Sequence, residues 1–179
     1  DLVPSANLSY KIDQSKTVKA SYNMRISRPG IWYLNPFVND TDPTNISYGN
    51  SKLDSEKSHS FDLNFSSFTQ KFNVNLTLGH SFVNNSIESY SFIVNGVMKN
   101  TFDNIGKWSS TRFSAFVNWN MTPKTRIYMN GTSSYNDYKS EKDNMSNNGF
   151  GYSVSGGFQQ TLPWELRLSL YGGGSGSNI

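Results

Sequence analysis

The chain has 179 residues, with 35% hydrophobic and 15% aromatic residues, only 16% charged residues, a formal net charge of +3 and no cysteine. Charged residues fall well below the roughly 25% of an ordinary soluble domain, so Asn, Ser, Thr and Gly must build the polar surface. Scattered single cations speak against a nucleic-acid partner, and the lack of cysteine excludes a disulfide framework and thiolate metal sites.

No run approaches the roughly 18 apolar residues of a membrane-spanning helix, and residues 1–25 lack the layout of a signal peptide. Strict alternation of apolar and polar residues dominates instead, which is the period of a β-strand with two unlike faces. In chain order the first stretch is 2–12, with Leu8, Tyr10 and Ile12 against Asn7, Ser9 and Lys11. The second is 18–26, with Val18, Ala20, Tyr22, Met24 and Ile26 on the oily face. After a long connection at 28–56 come Phe61, Leu63 and Phe65. The clearest stretch is 72–82, where Phe72, Val74, Leu76, Leu78 and Phe82 oppose Asn73, Asn75, Thr77, Gly79 and Ser81.

Asn95-Gly96 is a strong type I′ hairpin signal. It sets Leu78 opposite Phe113, Leu76 opposite Ala115 and Phe72 opposite Trp119, in one long hairpin with a possible bulge near Asn84-Asn85 or Gly106. The oily face continues through Val117, Ile127 and Met129, then Phe150, Tyr152, Val154 and Phe158, and finally Trp164, Leu166, Leu168 and Leu170. Every charge within these strands (Lys11, Lys19, Arg25, Asp62, Arg112, Arg126, Glu165 and Arg167) falls on the opposite face. A two-residue loop at Thr69-Gln70 would pair Phe61 with Leu78 and bring His59 and His80 directly opposite one another.

The pattern predicts an all-β fold: an antiparallel up-and-down meander of about eight strands forming part of a transmembrane β-barrel wall, as a single unit over 1–179. A soluble secreted β-sandwich, acting as an adhesin or glycan-binding module, also buries one face of each strand. Three features favour the barrel. The stretches are long enough to cross a bilayer. Short connections (13–17, 69–70, 122–124, 161–163) alternate with long ones (28–56, 84–106, 140–148). Tyr10, Phe68, Phe72, Trp119, Phe158 and Trp164 gather beside the short turns as an aromatic girdle. The chain also reads as a segment of something longer.

Residues 17–66 carry a resemblance in words as well as in pattern: the strand ending SYNMRISRP, the loop with YLNPF and DPTNISYGN, and the return strand KSHSFDLNFS. This stretch resembles TonB-dependent outer-membrane receptors, in the group of outer-membrane β-barrel proteins. Members commonly read GNP-x-L-x-PE where Gly49-Asn50-Ser51-Lys52-Leu53-Asp54-Ser55-Glu56 stands here, with serine at both proline positions. The resemblance implies a transporter of the Gram-negative outer membrane, closed by an amino-terminal plug that the TonB complex pulls on to admit a scarce nutrient. The chain would then supply roughly a third of a wall of about 22 strands, facing outer-membrane lipid and the rest of the barrel, with no plug of its own.

A ligand would be met on the long loops. Trp32, Tyr33, Phe37 and Tyr48, with Asn35, Asp40 and Asp42, combine flat apolar surface with hydrogen-bonding groups. An alternative is that these rings pack only on one another. Arg25, Arg112, Arg126 and Arg167 are expected to face the lumen, chiefly in structural pairs. The two histidines favour a water boundary over a metal site. Asp40, Asp42 and Glu56 lack calcium-loop spacing. The Asn-x-Ser/Thr triplets follow from the strand alphabet rather than glycosylation. No nucleophile elbow, phosphate loop or carboxylate pair stands out, so neither an enzyme nor a cofactor is expected.

Overall fold

A computed structural model describes residues 2–140 and 145–178. Eight strands run as an antiparallel meander: β1 (Ser5–Lys11), β2 (Lys16–Ser27), β5 (Glu56–Phe68), β6 (Phe72–Val94), β7 (Val97–Thr122), β8 (Thr125–Ser140), β9 (Met145–Thr161) and β10 (Arg167–Asn178). Between β2 and β5 lie a single helical turn, α1 (Ile31–Leu34), and two short strands, β3 (Asn39–Asp42) and β4 (Asn45–Ser47). The all-β meander is as the alternation predicts.

Directly paired residues of an antiparallel sheet share a face, so the registers test the two-faced reading. Tyr22, Phe61, His80, Thr111, Tyr135 and Phe150 form one row across six strands. Phe72, Trp119, Ile127, Phe158 and Leu170 form another near the short turns. Val74, Val117 and Met129 lie between them, as do Leu63, Leu78 and Phe113. Every oily residue expected in β1, β2 and β5–β9 falls on this one face, together with Leu168 and Leu170 of β10. Among the described residues only Val74 and Ile105 are buried apolar side chains. A sandwich would enclose a core between two sheets; here a single sheet leaves its oily face uncovered.

From Phe72 to Phe82 is ten residues, about 34 Å of strand and, at a tilt near 40°, about 26 Å along a membrane normal. That matches the height of a lipid-facing band. Its upper boundary carries polar rings: the Tyr22 hydroxyl lies 2.9 Å from His59 Nδ1, and His80 Nδ1 lies 2.9 Å from Thr111 Oγ1. Above it, β6 and β7 continue as a ribbon for roughly 35 Å to the Asn95-Gly96 turn, where both residues take positive φ, 53° and 79°.

Several expectations need correction. The β5–β6 loop spans residues 69–71 rather than two residues, because Phe68 still pairs with Asn73 and the Thr69 hydroxyl donates to the Phe72 carbonyl at 2.7 Å. The register therefore slips by two, so His59 faces Phe82 and His80 faces Phe61 instead of each other. A slip of two leaves every side chain on its face. Two shifts between Val83 and Ile87 add one residue first to β6 and then to β7, and so cancel. The segment 84–106 is thus the upper part of the long hairpin that Asn95-Gly96 predicts, bulged at Asn84-Asn85 and beside Gly106 without being broken. Of 140–148, residues 140 and 145–148 belong to paired strands, and 141–144 lie outside the described residues. Phe68 falls in phase with the polar face, opposite Asn73. Trp164 and Glu165 sit in a 3-10 turn (Pro163–Glu165) with Leu166 just after it, since β10 begins only at Arg167.

The short turns share one end and are tied together: Phe68 N–H donates to Ser15 O at 2.8 Å, Asn120 N–H to Lys71 O at 2.7 Å, and Thr161 N–H to Lys124 O at 2.7 Å. In the first turn the Ser15 hydroxyl and N–H, both 2.7 Å from Asp13 Oδ1, draw the Asp13 carboxyl down to about 2, with Lys16 adding less. A depressed carboxyl stabilises the fold in full above its unfolded value and loses that contribution as pH falls through the folded one. The Asp13 turn should therefore persist to about pH 2, and Ser15→Ala should raise the carboxyl's titration, as read by NMR. Leu76→Arg, at mid-band on the oily face, should cost about 2–4 kcal/mol of stability in lipid vesicles. Thr77→Arg, on the opposite face, should be tolerated in the same unfolding measurement.

Candidate functional site

Above the band, residues 28–55 fold onto the β6–β7 ribbon. β4 runs parallel to β7, pairing Asn45–Ser47 with Met98–Asn100 on the edge that β6 leaves open. Met98 N–H donates to Thr44 O (2.9 Å) and Tyr48 N–H to Asn100 O (3.1 Å), while the Asn50 amide reaches Phe102 O (3.0 Å). The segment then passes to β6, whose other edge pairs with β5, and so wraps the ribbon from one edge to the other.

Two asparagines close the wrap where regular pairing ends at Val83. The Asn85 amide donates to Ser55 O (2.8 Å), and its Oδ1 accepts from Lys57 N–H (3.1 Å). Asn104 accepts from Asp54 N–H (2.8 Å) and donates to Asp54 O (3.0 Å) and Asn85 O (2.9 Å). Glu56 Oε1 accepts from Ile87 N–H at 2.7 Å. Side chains thus continue a backbone ladder past the bulge, satisfying groups that would otherwise lack partners.

Within the loop, Asn50 N–H donates to Tyr33 O (2.6 Å) and Gly49 N–H to Asn35 O (2.9 Å). The chains approach so closely that a Cβ on Gly49 would lie 2.5 Å from Asn35 O and 2.7 Å from Tyr33 O. Only glycine fits there.

The expected ligand residues divide by this architecture. Tyr33 packs edge-on against Phe102 (4.8 Å, 82°), so it anchors α1 to the ribbon rather than to other loop rings. Asn35 Oδ1 accepts from Phe37 N–H at 3.1 Å. Asp42 accepts from the Thr44 hydroxyl (2.7 Å) and N–H (2.9 Å), which hold its carboxyl below the ordinary range. Asp40 is exposed, and Tyr48 is half-buried beside β7. Trp32 (83% exposed) and Phe37 (72%) join no ring contact among the described residues, which leaves them open to a partner. The loop is therefore not an aromatic cluster closed on itself. Ile31 and Val38 extend this exposed apolar surface.

The register sets Arg25, Arg112, Arg126 and Arg167 on the polar face, opposite Ser58, Gly79, Gln159 and Thr161 respectively. Among the described residues Arg126 donates to Asn118 Oδ1 and lies 5.6 Å from the Tyr128 ring centre. No group of three or more metal-ligating side chains occurs among the described residues. Sequence reasoning missed the roles of Asn85 and Asn104. The Asn95-Gly96 register, counted down to the unpaired Asn84-Asn85, held the signal.

One oily face of bilayer height, polar rings at its upper boundary, tight turns at one end and a braced loop at the other define the wall of a transmembrane β-barrel. The chain belongs to the outer membrane protein β-barrel family, whose model matches residues 1–179, and its place is the Gram-negative outer membrane. No curated protein sequence matches it. Among solved structures its fold is similar to the ferric enterobactin receptor PfeA of Pseudomonas aeruginosa (TM-score 0.59, 14% identity, 98% of this chain and 32% of that one). It is also similar to the siderophore receptor PirA of the same organism (0.56, 16%, 99% and 40%) and to the copper transporter OprC (0.56, 11%, 98% and 30%). The chain spans between 30% and 40% of the length of these three proteins.

Gly49→Ala should detach α1 from the Tyr48–Asn50 segment. Asn85→Ala and Asn104→Ala should each loosen the wrap by about 0.5–1.5 kcal/mol per hydrogen bond lost, since the bonds are exposed or part-buried. Limited proteolysis should then cut within 28–55 well before the membrane band unfolds.

Proposed function

We propose that the chain is part of the wall and outer loops of a TonB-dependent receptor that imports a scarce nutrient across the outer membrane. The observation that carries this reading is the exposed pair Trp32 and Phe37, held on a loop whose backbone is pinned to a rigid ribbon. Pinning the frame while leaving the rings open lowers the ordering cost of binding. The likeness to a ferric enterobactin receptor, a siderophore receptor and a copper transporter supports a transport role. The nutrient would meet Trp32, Phe37 and Asp40 first, with Tyr33, Asn35, Asp42 and Tyr48 shaping the loop that presents them. The four arginines would face the lumen. Outer-membrane lipid would cover the oily face, the remaining wall would pair with the free edges of β1 and β10, and the TonB complex would act through a plug. No step of catalysis is assigned to the chain.

Burying one ring against a ligand contributes about 1–3 kcal/mol. Trp32→Ala in the full-length protein should therefore weaken nutrient uptake about tenfold or more without lowering its amount in the membrane. Unchanged uptake at normal abundance would remove the loop from the binding site.

A further inference from the structure

On the polar face, Asp62, Gly79 and Arg112 occupy one row across β5, β6 and β7. Gly79 is the space between the two charges. A Cβ there would lie 2.8 Å from Asp62 Oδ1, so the carboxylate leans over the glycine toward β7. The two charged residues are separated by two strand spacings, about 10 Å between backbones. They make no ion pair with each other among the described residues, and neither has another side-chain partner there. Lys19, on the same face of β2, pairs across to Asn64 and does not neutralise Asp62. Both charges border a pocket of about 350 Å³, completed by Thr77, Ser81, Trp108, Ser110, Ser114 and Asn136 beside Gly79. Its volume suits a small molecule.

The geometry points to a binding site for a small zwitterion of the amino-acid or dipeptide class, with Asp62 receiving the ammonium group and Arg112 the carboxylate. A carboxylate accepts two parallel N–H bonds from a guanidinium, whereas an ammonium matches the acceptor-only carboxylate. A molecule carrying both charges satisfies both side chains at once, and a singly charged one leaves the other group desolvated without a partner. Hydroxyl and amide groups around the row would take the peptide unit between the charges. The inference rests on the receptor reading above, since it places a nutrient on the face assigned to the lumen.

Calorimetric titration of the full-length protein in detergent tests it, with glycylglycine as the probe. N-acetyl-glycylglycine and glycylglycine amide each lack one charge, and N-acetyl-glycylglycine amide lacks both. Glycylglycine should bind, and each capped form should bind at least tenfold more weakly. Asp62→Asn should equalise glycylglycine and its N-acetyl form, and Arg112→Gln should equalise it with the amide. No binding of glycylglycine, or equal binding of all four probes, overturns the proposal without requiring any variant to fold. A protein that imports its nutrient normally but ignores glycylglycine loses this site and keeps the receptor reading. A protein absent from the outer membrane loses the receptor reading itself.

Discussion

Everything in this chain depends on the pairing rule of antiparallel strands: a residue and its cross-strand partner stand on the same side of the sheet. Once Leu76 is set beside Phe65 and Ala115, the outward face of three strands is decided together. A slip by one residue would carry Phe72, Val74, Leu76 and Leu78 to the side of Asn75 and Thr77, exchanging lipid-facing and polar surface over the whole strand. The register is thus held by the cost of placing Asn and Thr against lipid. Without lipid the oily face has no counterpart within the chain, which is why so few of its apolar side chains are buried.

The same rule explains the division of labour along β6 and β7. Within the band both edges of each strand are paired with neighbours, and the oily face carries no charge, while Phe116 shares the polar face with Asn75 and Asn130. Past Val83 the bulge interrupts the ladder, the flanking strands β5 and β8 fall away, and the ribbon stands with open edges. Open edges are liabilities. Here β4 covers one, and the amides of Asn85 and Asn104 take up the segment that crosses to the other. Residues 28–55 are therefore pinned along their backbone while Trp32 and Phe37 remain free of it.

On the opposite surface, glycine does what a side chain would prevent. Gly79 leaves room for Asp62 to lean toward Arg112, and Gly49 lets the Tyr33 and Asn35 backbone come within hydrogen-bonding reach. One opening makes a pocket and the other a tight junction. Neither position would be singled out by hydrophobicity.

The sequence by itself determined the succession of the eight meander strands, the oily face of each apart from Phe68 and the Trp164–Leu166 turn, the long β6–β7 hairpin with its Asn95-Gly96 turn, and the grouping of tight turns at one end. Those properties repeat every two residues or reside in a dipeptide, so a local reading reaches them. The His59 and His80 pairing lay beyond it, because a hydroxyl of Thr69 sets the width of the turn and a slip of two leaves the hydrophobic pattern unchanged. Only the tertiary structure decided that 28–55 crosses the ribbon, that Tyr33 packs on Phe102, that Asn85 and Asn104 complete the ladder, and that Asp62 and Arg112 flank Gly79 from either side. Each joins residues far apart in the chain through a single side chain or the lack of one, and such contacts leave no period in the sequence.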